Sequence, residues 1–239
     1  MNLSRRKAIA YGAGILGTGS LVAWLEKSTA AANTPEPQLI AADPHALKSN
    51  LTPEQALKKL IEGNQRFVEN KKINPDQDSI RVKEIAQGQA PFAAILGCAD
   101  SRVPSEIIFD QGLGDIFNVR IAGNIAMIED VASEEYAIGV LGAPLLMVLG
   151  HERCGAVAAA IKGGNLPGVI ESLVYAIQPA VTSTEGLPGD RLTNAIMANV
   201  KLQVGRLLTS TVISDAVKEG KLKVVGAYYD LDTGKVTLV

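Results

Sequence analysis

Two cysteines, two histidines and one Asp–Arg pair hold most of the chemical information in this 239-residue chain. Cys98 ends the apolar run Phe92–Gly97. His151 ends a second run, Leu145–Gly150, and Cys154 lies three positions beyond it. In a parallel α/β sheet the carboxyl ends of neighbouring strands are where ligand sites assemble. If these two runs are neighbours, two thiols and an imidazole meet there. That donor set suits tetrahedral Zn2+, and three protein ligands leave a fourth position open, the arrangement of catalytic rather than structural zinc. In Cys98-Ala99-Asp100-Ser101-Arg102 the acid and the guanidinium are two residues apart, so an extended turn points both the same way and lets the pair orient a water. Taken singly, these residues also allow a Cys98–Cys154 disulfide, an ordinary core histidine and a structural ion pair.

The intervening chain must supply strands for these residues to end. The apolar runs Phe92–Gly97 and Leu145–Gly150, with Asp115–Arg120 and Leu222–Tyr229, read as strands. Runs apolar throughout are buried on both faces, as in a parallel sheet covered by helices. Helical stretches at 105–110, 130–142, 155–162 and 193–218 separate them, which predicts an α/β domain with a parallel sheet core flanked by helices. The turn Asp230–Lys235 predicts a hairpin that adds an antiparallel edge strand at Val236–Val239. Upstream, Thr52 is an N-cap with Pro53 at the first helical position and Gln55 completing a capping box. Ala56, Leu57, Leu60, Ile61 and Phe67 follow at helical spacing, giving an N-terminal helical arm. A loop over 70–79 and a helix across Ile80–Gln87 come next.

Length and composition bound the rest. With 47% apolar and 20% charged residues the chain can bury a full core without disulfides. A net charge of −2 and 4% aromatic residues argue against a nucleic-acid partner. Residues 1–32 read as an export signal. Arg5-Arg6 precede an apolar run from Ala8 to Trp24 that contains Gly12, Gly14, Gly17 and Gly19, and the small residues Ser28–Ala32 follow. The paired arginines predict the twin-arginine route. An uncleaved anchor is the alternative, but the run is short for the roughly 20 residues of a span. The expectation is an exported protein of periplasm or thylakoid lumen, touching membrane only during export. Residues 33–50, with Pro35, Pro37 and Pro44, read as a linker, and 51–239 as the domain.

The segment Cys98-Ala99-Asp100-Ser101-Arg102-Val103-Pro104, taken with Gly150-His151-Glu152-Arg153-Cys154-Gly155, resembles the β-class carbonic anhydrases. Asp110–Asp115 and Asn118–Asn124 resemble the bacterial members. The resemblance runs from about Leu51 to the C-terminus. It implies one Zn2+ per chain held by Cys98, His151 and Cys154, with Asp100 and Arg102 as catalytic dyad. The implied activity is zinc-dependent reversible hydration of carbon dioxide to bicarbonate and a proton, by attack of zinc-bound hydroxide. Gln89, Phe117 and Tyr136 match the substrate pocket of the plant-like subgroup, and Ala122 stands where that pocket has Val; the backbone N–H of Gly155 is a further expected donor to substrate or product oxygens. Ile95 occupies the position where the bicarbonate-inhibited subgroup carries Trp. The family also implies a closed form, with Asp100 itself on the metal. It further implies a homodimer or higher homo-oligomer, the arm near 51–70 embracing a partner and Gln89 and Tyr136 facing the neighbour's zinc. Hydrolysis of carbonyl sulfide or carbon disulfide on the same scaffold, and a non-catalytic zinc- or disulfide-stabilised module, are the competing functions.

Overall fold

Side chains alternate between the two faces of a strand, so a run apolar at every position needs cover on both sides. That is the arrangement in the computed structural model of the chain, which describes residues 49–239. The expected export signal, and the linker up to residue 48, lie outside the described residues. Five strands form one sheet: β1 (Ala93–Gly97), β2 (Ile116–Arg120), β3 (Leu145–His151), β4 (Lys223–Tyr229) and β5 (Val236–Leu238). Their order is β2-β1-β3-β4-β5. The first four run parallel and β5 returns antiparallel to β4. From β1 and β3, Ala93, Ile95, Leu145, Met147 and Leu149 enter the core on one face. Ala94, Leu96, Leu146 and Val148 enter it on the other.

Helix α1 (Pro53–Val68) covers the first face with Ala56 and Leu60. Thr52 caps it as expected: its Oγ1 accepts from Gln55 N at 3.2 Å while Gln55 Oε1 accepts from Thr52 N at 2.9 Å. The expected arm is therefore, over these residues, a helix packed on the chain's own sheet, because its buried Ala56 and Leu60 share one core with Ile95, Leu145 and Met147 of β1 and β3. Helices α2 (Ser79–Ile85) and α3 (Ser105–Ile108) follow on either side of β1.

The second face is covered by α4 (Ile128–Glu135), by a π-helical turn over Tyr136–Val140 that continues it, and by α7 (Arg191–Leu207) and α8 (Thr211–Lys218). Helices α5 (Gly155–Lys162) and α6 (Glu171–Ser183) pack with α7 beyond the carboxyl ends of the strands. Two expectations are corrected here. The helix expected over 193–218 is two helices, because Ser210 turns the chain and caps α8 by accepting from Ile213 N. Helix α6 has no counterpart among the expected elements. It contains Pro179, normally a breaker, and holds its shape between α5 and α7. No helix among the described residues is long and apolar enough to cross a membrane.

Candidate metal centre

The register of β1 on β3 brings the donors together. Gly97 lies opposite Leu149, so Cys98, the next residue, leaves the sheet level with Gly150 and beside His151. Gly150 is dictated by packing: a Cβ there would stand 2.5 Å from Val200 on α7. After His151 the chain reverses through Glu152 and Arg153, and Cys154 arrives as the N-cap residue of α5. His151 is fully buried, and Cys98 and Cys154 are nearly so. Among the described residues they form a group of possible metal ligands whose donor atoms all lie within 4.8 Å of one another. Both cysteines are free thiols. Ligands about 2.0–2.3 Å from a tetrahedral ion sit roughly 3.5–3.8 Å apart, so a small inward movement lets these atoms share one cation.

His151 gives an independent test of fit. Its Nδ1 lies 2.9 Å from the Glu152 carbonyl, and its Nε2 is buried with no hydrogen-bond partner. With the proton on Nδ1, the Nε2 lone pair faces the two sulfurs, which is how a metal-ligating imidazole is fixed by its second nitrogen. Cys98 is pulled down, first by the hydrogen bond from Cys154 and then, against the cost of burial, by the Gly123 N–H. That N–H meets the Cys98 sulfur at 3.3 Å. The Cys154 thiol is pushed up by the hydrogen bond it gives Cys98 and by burial. Two adjacent buried thiolates repel, and a divalent cation relieves that repulsion. The residues present therefore fit Zn2+.

Asp100 and Arg102 meet as a fork. Arg102 Nε donates to Asp100 Oδ1 at 3.0 Å and Nη2 to Oδ2 at 2.8 Å, and the Arg102 backbone N–H reaches Oδ1 at 2.9 Å. The Arg102 guanidinium holds the Asp100 carboxyl well below the usual carboxylate range. Asp100 Oδ2 is 3.8 Å from His151 Nε2, so the same carboxylate that grips Arg102 faces the donor cluster.

The remaining expected site residues divide. Gly155 is exposed at the first position of α5, beside Cys154. Ala122 lies in the turn after β2, next to Gly123. Phe117 and Tyr136 pack against each other, ring centres 6.2 Å apart, but Phe117 enters β2 opposite Ala94, in the half of the sheet away from Cys98. Gln89 precedes β1 and is exposed, at the opposite end of that strand from Cys98. One residue that the sequence pattern does not single out is Arg120, at the end of β2. Its Nε donates to the Cys98 carbonyl at 3.0 Å and its Nη2 to the Asp100 carbonyl at 2.5 Å. It lies within Asn118–Asn124, but no residue type or spacing there gives it this role, because the strand pairing creates the contact.

The family model described as carbonic anhydrase matches residues 93–236. Carbonic anhydrase 2 of Mycobacterium tuberculosis is 43% identical over 196 residues, covering 79% of this chain and 94% of that protein. The carbonic anhydrase of Mycolicibacterium smegmatis is 39% identical, with 79% and 94% covered. Among solved structures, a tetrameric β-carbonic anhydrase of Sordaria macrospora superposes with a TM-score of 0.63 at 27% identity, covering 66% of this chain and 85% of that one.

Proposed function

The chain belongs to the β-class carbonic anhydrases, and we propose that Cys98, His151 and Cys154 hold one Zn2+ while Asp100, kept in place by Arg102, orients the attacking water. The reaction is the reversible hydration of carbon dioxide to bicarbonate and a proton, and the family is zinc-dependent. Zinc bound here supplies Lewis acidity, lowering the pKa of a coordinated water from about 15.7 toward roughly 7. Two thiolate ligands donate charge and oppose that drop, so the placement of Asp100 matters more than it would in an all-histidine site.

Each oxygen of Asp100 already accepts from Arg102, and Oδ2 turns its remaining lone pair to the donor cluster. Held ionised at neutral pH, Asp100 accepts a hydrogen bond from the water and donates none. The lone pair of the water is then left to face the carbon of the substrate. Arg102 fixes the carboxylate through the fork, and Arg120 fixes the main chain beneath it. The exposed N–H end of α5 at Gly155 offers a donor to substrate oxygens.

The observation that carries this reading is the 3.8 Å between Asp100 Oδ2 and His151 Nε2, with the Arg102 fork intact. Asp100→Asn should keep stoichiometric zinc yet lose roughly a hundredfold in stopped-flow CO2 hydration. Unchanged hydration by that variant would remove Asp100 from the mechanism.

Gln89 and Cys98 occupy opposite ends of β1, so a pocket that uses Gln89 and Tyr136 needs a second copy of the chain. We therefore assign a homodimer as the smallest active unit. An active monomer in a sedimentation dilution series would contradict it. Residues 1–32, outside the described residues, are assigned to twin-arginine export. Replacing Arg5-Arg6 by a lysine pair should leave the protein in the cytoplasm, and undiminished export would refute the route.

A further inference from the structure

The ligand turn His151–Cys154 has only two residues in which to reverse, and Arg153 makes the reversal at φ +52°. A non-glycine side chain holds that left-handed conformation only where its surroundings over-determine it. The surroundings are the tip of the β4–β5 hairpin. Arg153 Nη1 donates to Asp232 Oδ2 at 2.9 Å and Nη2 to Asp232 Oδ1 at 2.7 Å. Nη1 also reaches Glu152 Oε1 at 3.0 Å. Glu152 Oε2 in turn accepts from the Leu231 N–H at 3.0 Å, and the Glu152 N–H donates to the Tyr229 carbonyl at 2.8 Å. The tip is itself braced: Asp230 Oδ1 accepts from Asp232 N at 3.0 Å and Thr233 N at 2.8 Å. Asn64 Nδ2 ties the Gly234 carbonyl to α1 at 2.8 Å.

We propose that Asp232, acting through Arg153, is a positioning residue for the metal centre: the hairpin tip clamps the ligand turn so that His151 and Cys154 reach one ion together. The inference rests on the reading that Cys98, His151 and Cys154 hold zinc. Asp232 touches none of these three side chains, and its work is to hold the backbone between two of them. A plain surface ion pair predicts something else. The Arg153 and Asp232 side chains are 48% and 69% exposed, and an ordinary pair so exposed changes little when broken. A clamp on the ligand turn changes metal retention while leaving the stability of the fold nearly alone.

The test measures zinc release from the loaded protein to the chromogenic chelator 4-(2-pyridylazo)resorcinol, alongside the melting temperature of the metal-free form. Asp232→Ala should release zinc roughly fivefold faster than the parent, with the metal-free melting temperature unmoved. In an Arg153→Gly background the positive φ is free of steric cost, so adding Asp232→Ala should produce no further acceleration. Parental release by Asp232→Ala, or equal acceleration in both backgrounds, would overturn the clamp. A parent chain that takes up no zinc would instead bring down the metal reading on which the clamp stands.

Discussion

Glu134 is a carboxylic acid in the wrong solvent. It lies in the last turn of α4, fully buried, and neither of its oxygens has a hydrogen-bond partner. Its helix packs on β1 and β2, and Val131 and Ala137, three residues to either side, belong to the apolar cluster with Ala94, Leu96 and Phe117. Burial, reinforced by the negative charge of Asp130, pushes its carboxyl from 4.5 up to about 8. Between those two values the unfolded chain gives up a proton that the folded chain keeps. Stability from this group is therefore full below pH 4.5 and drains away as pH rises toward 8. Each tenfold difference in proton affinity between the two states is worth about 1.36 kcal/mol, so the loss approaches roughly 5 kcal/mol, a ceiling that any structural relaxation lowers. Glu134→Gln keeps the shape and removes the titration. At pH 5 the two proteins should agree within about 1 kcal/mol, the difference being one buried amide against one buried acid. At pH 8 the variant should be the more stable by about 3–5 kcal/mol, or roughly 10 °C in melting temperature for a chain of this size. The assay is thermal unfolding by circular dichroism from pH 5 to 8.5, reading only the difference between the two proteins so that the cysteines and His151 cancel. A difference flat with pH would refute the reasoning, since it would mean that Glu134 is ionised in the fold and neutralised by a cation.

Two other substitutions follow from buried geometry. Asn64 satisfies three backbone groups at once, donating to Ile108 O at 3.0 Å and Gly234 O at 2.8 Å and accepting from Val236 N at 2.9 Å. Asn64→Ala strands all three and should cost about 3 kcal/mol in urea unfolding; a cost below about 1 kcal/mol would mean that water replaces the amide. Gly123 combines φ +81° with a site where a Cβ would stand 2.7 Å from Ile177 Cδ1. Gly123→Ala should cost about 1–3 kcal/mol and speed zinc release, whereas Gly205→Ala in α7, where a Cβ meets nothing within 4 Å, should stabilise by about 0.5–1 kcal/mol. Equal effects from the two would defeat the steric argument.

The centre of the sheet was legible because β1 and β3 are short, apolar on both faces and bounded by polar text. The start of α1 was legible because Thr52, Pro53 and Gln55 are local signals that act locally. What escaped was set by packing. Pro179 reads as a breaker, yet α6 runs through it because α5 and α7 hold both its sides. The expected helix over 130–142 shifts into a π-helical turn at Tyr136, where the Ser210 hydroxyl donates to Glu135 Oε1 at 2.7 Å from the far end of α7. No period in the sequence announces that contact.

The site divides along the same line. A donor is identified by its own chemistry and by the strand it ends, so Cys98, His151 and Cys154 could be picked out singly. A restraint is identified only by what it touches. Arg120 grips the Cys98 and Asp100 carbonyls from the next strand, and Asp232 grips Arg153 across 79 residues. One restraint was nevertheless written in the text. Gln89 precedes β1 and Cys98 follows it, and the five residues between Ala93 and Gly97 advance about 16 Å in an extended strand. A single chain cannot bring Gln89 within hydrogen-bond reach of a molecule held at Cys98. If Gln89 serves a metal centre, the direction of β1 points it to one in another copy of the chain, which is the homodimer proposed above.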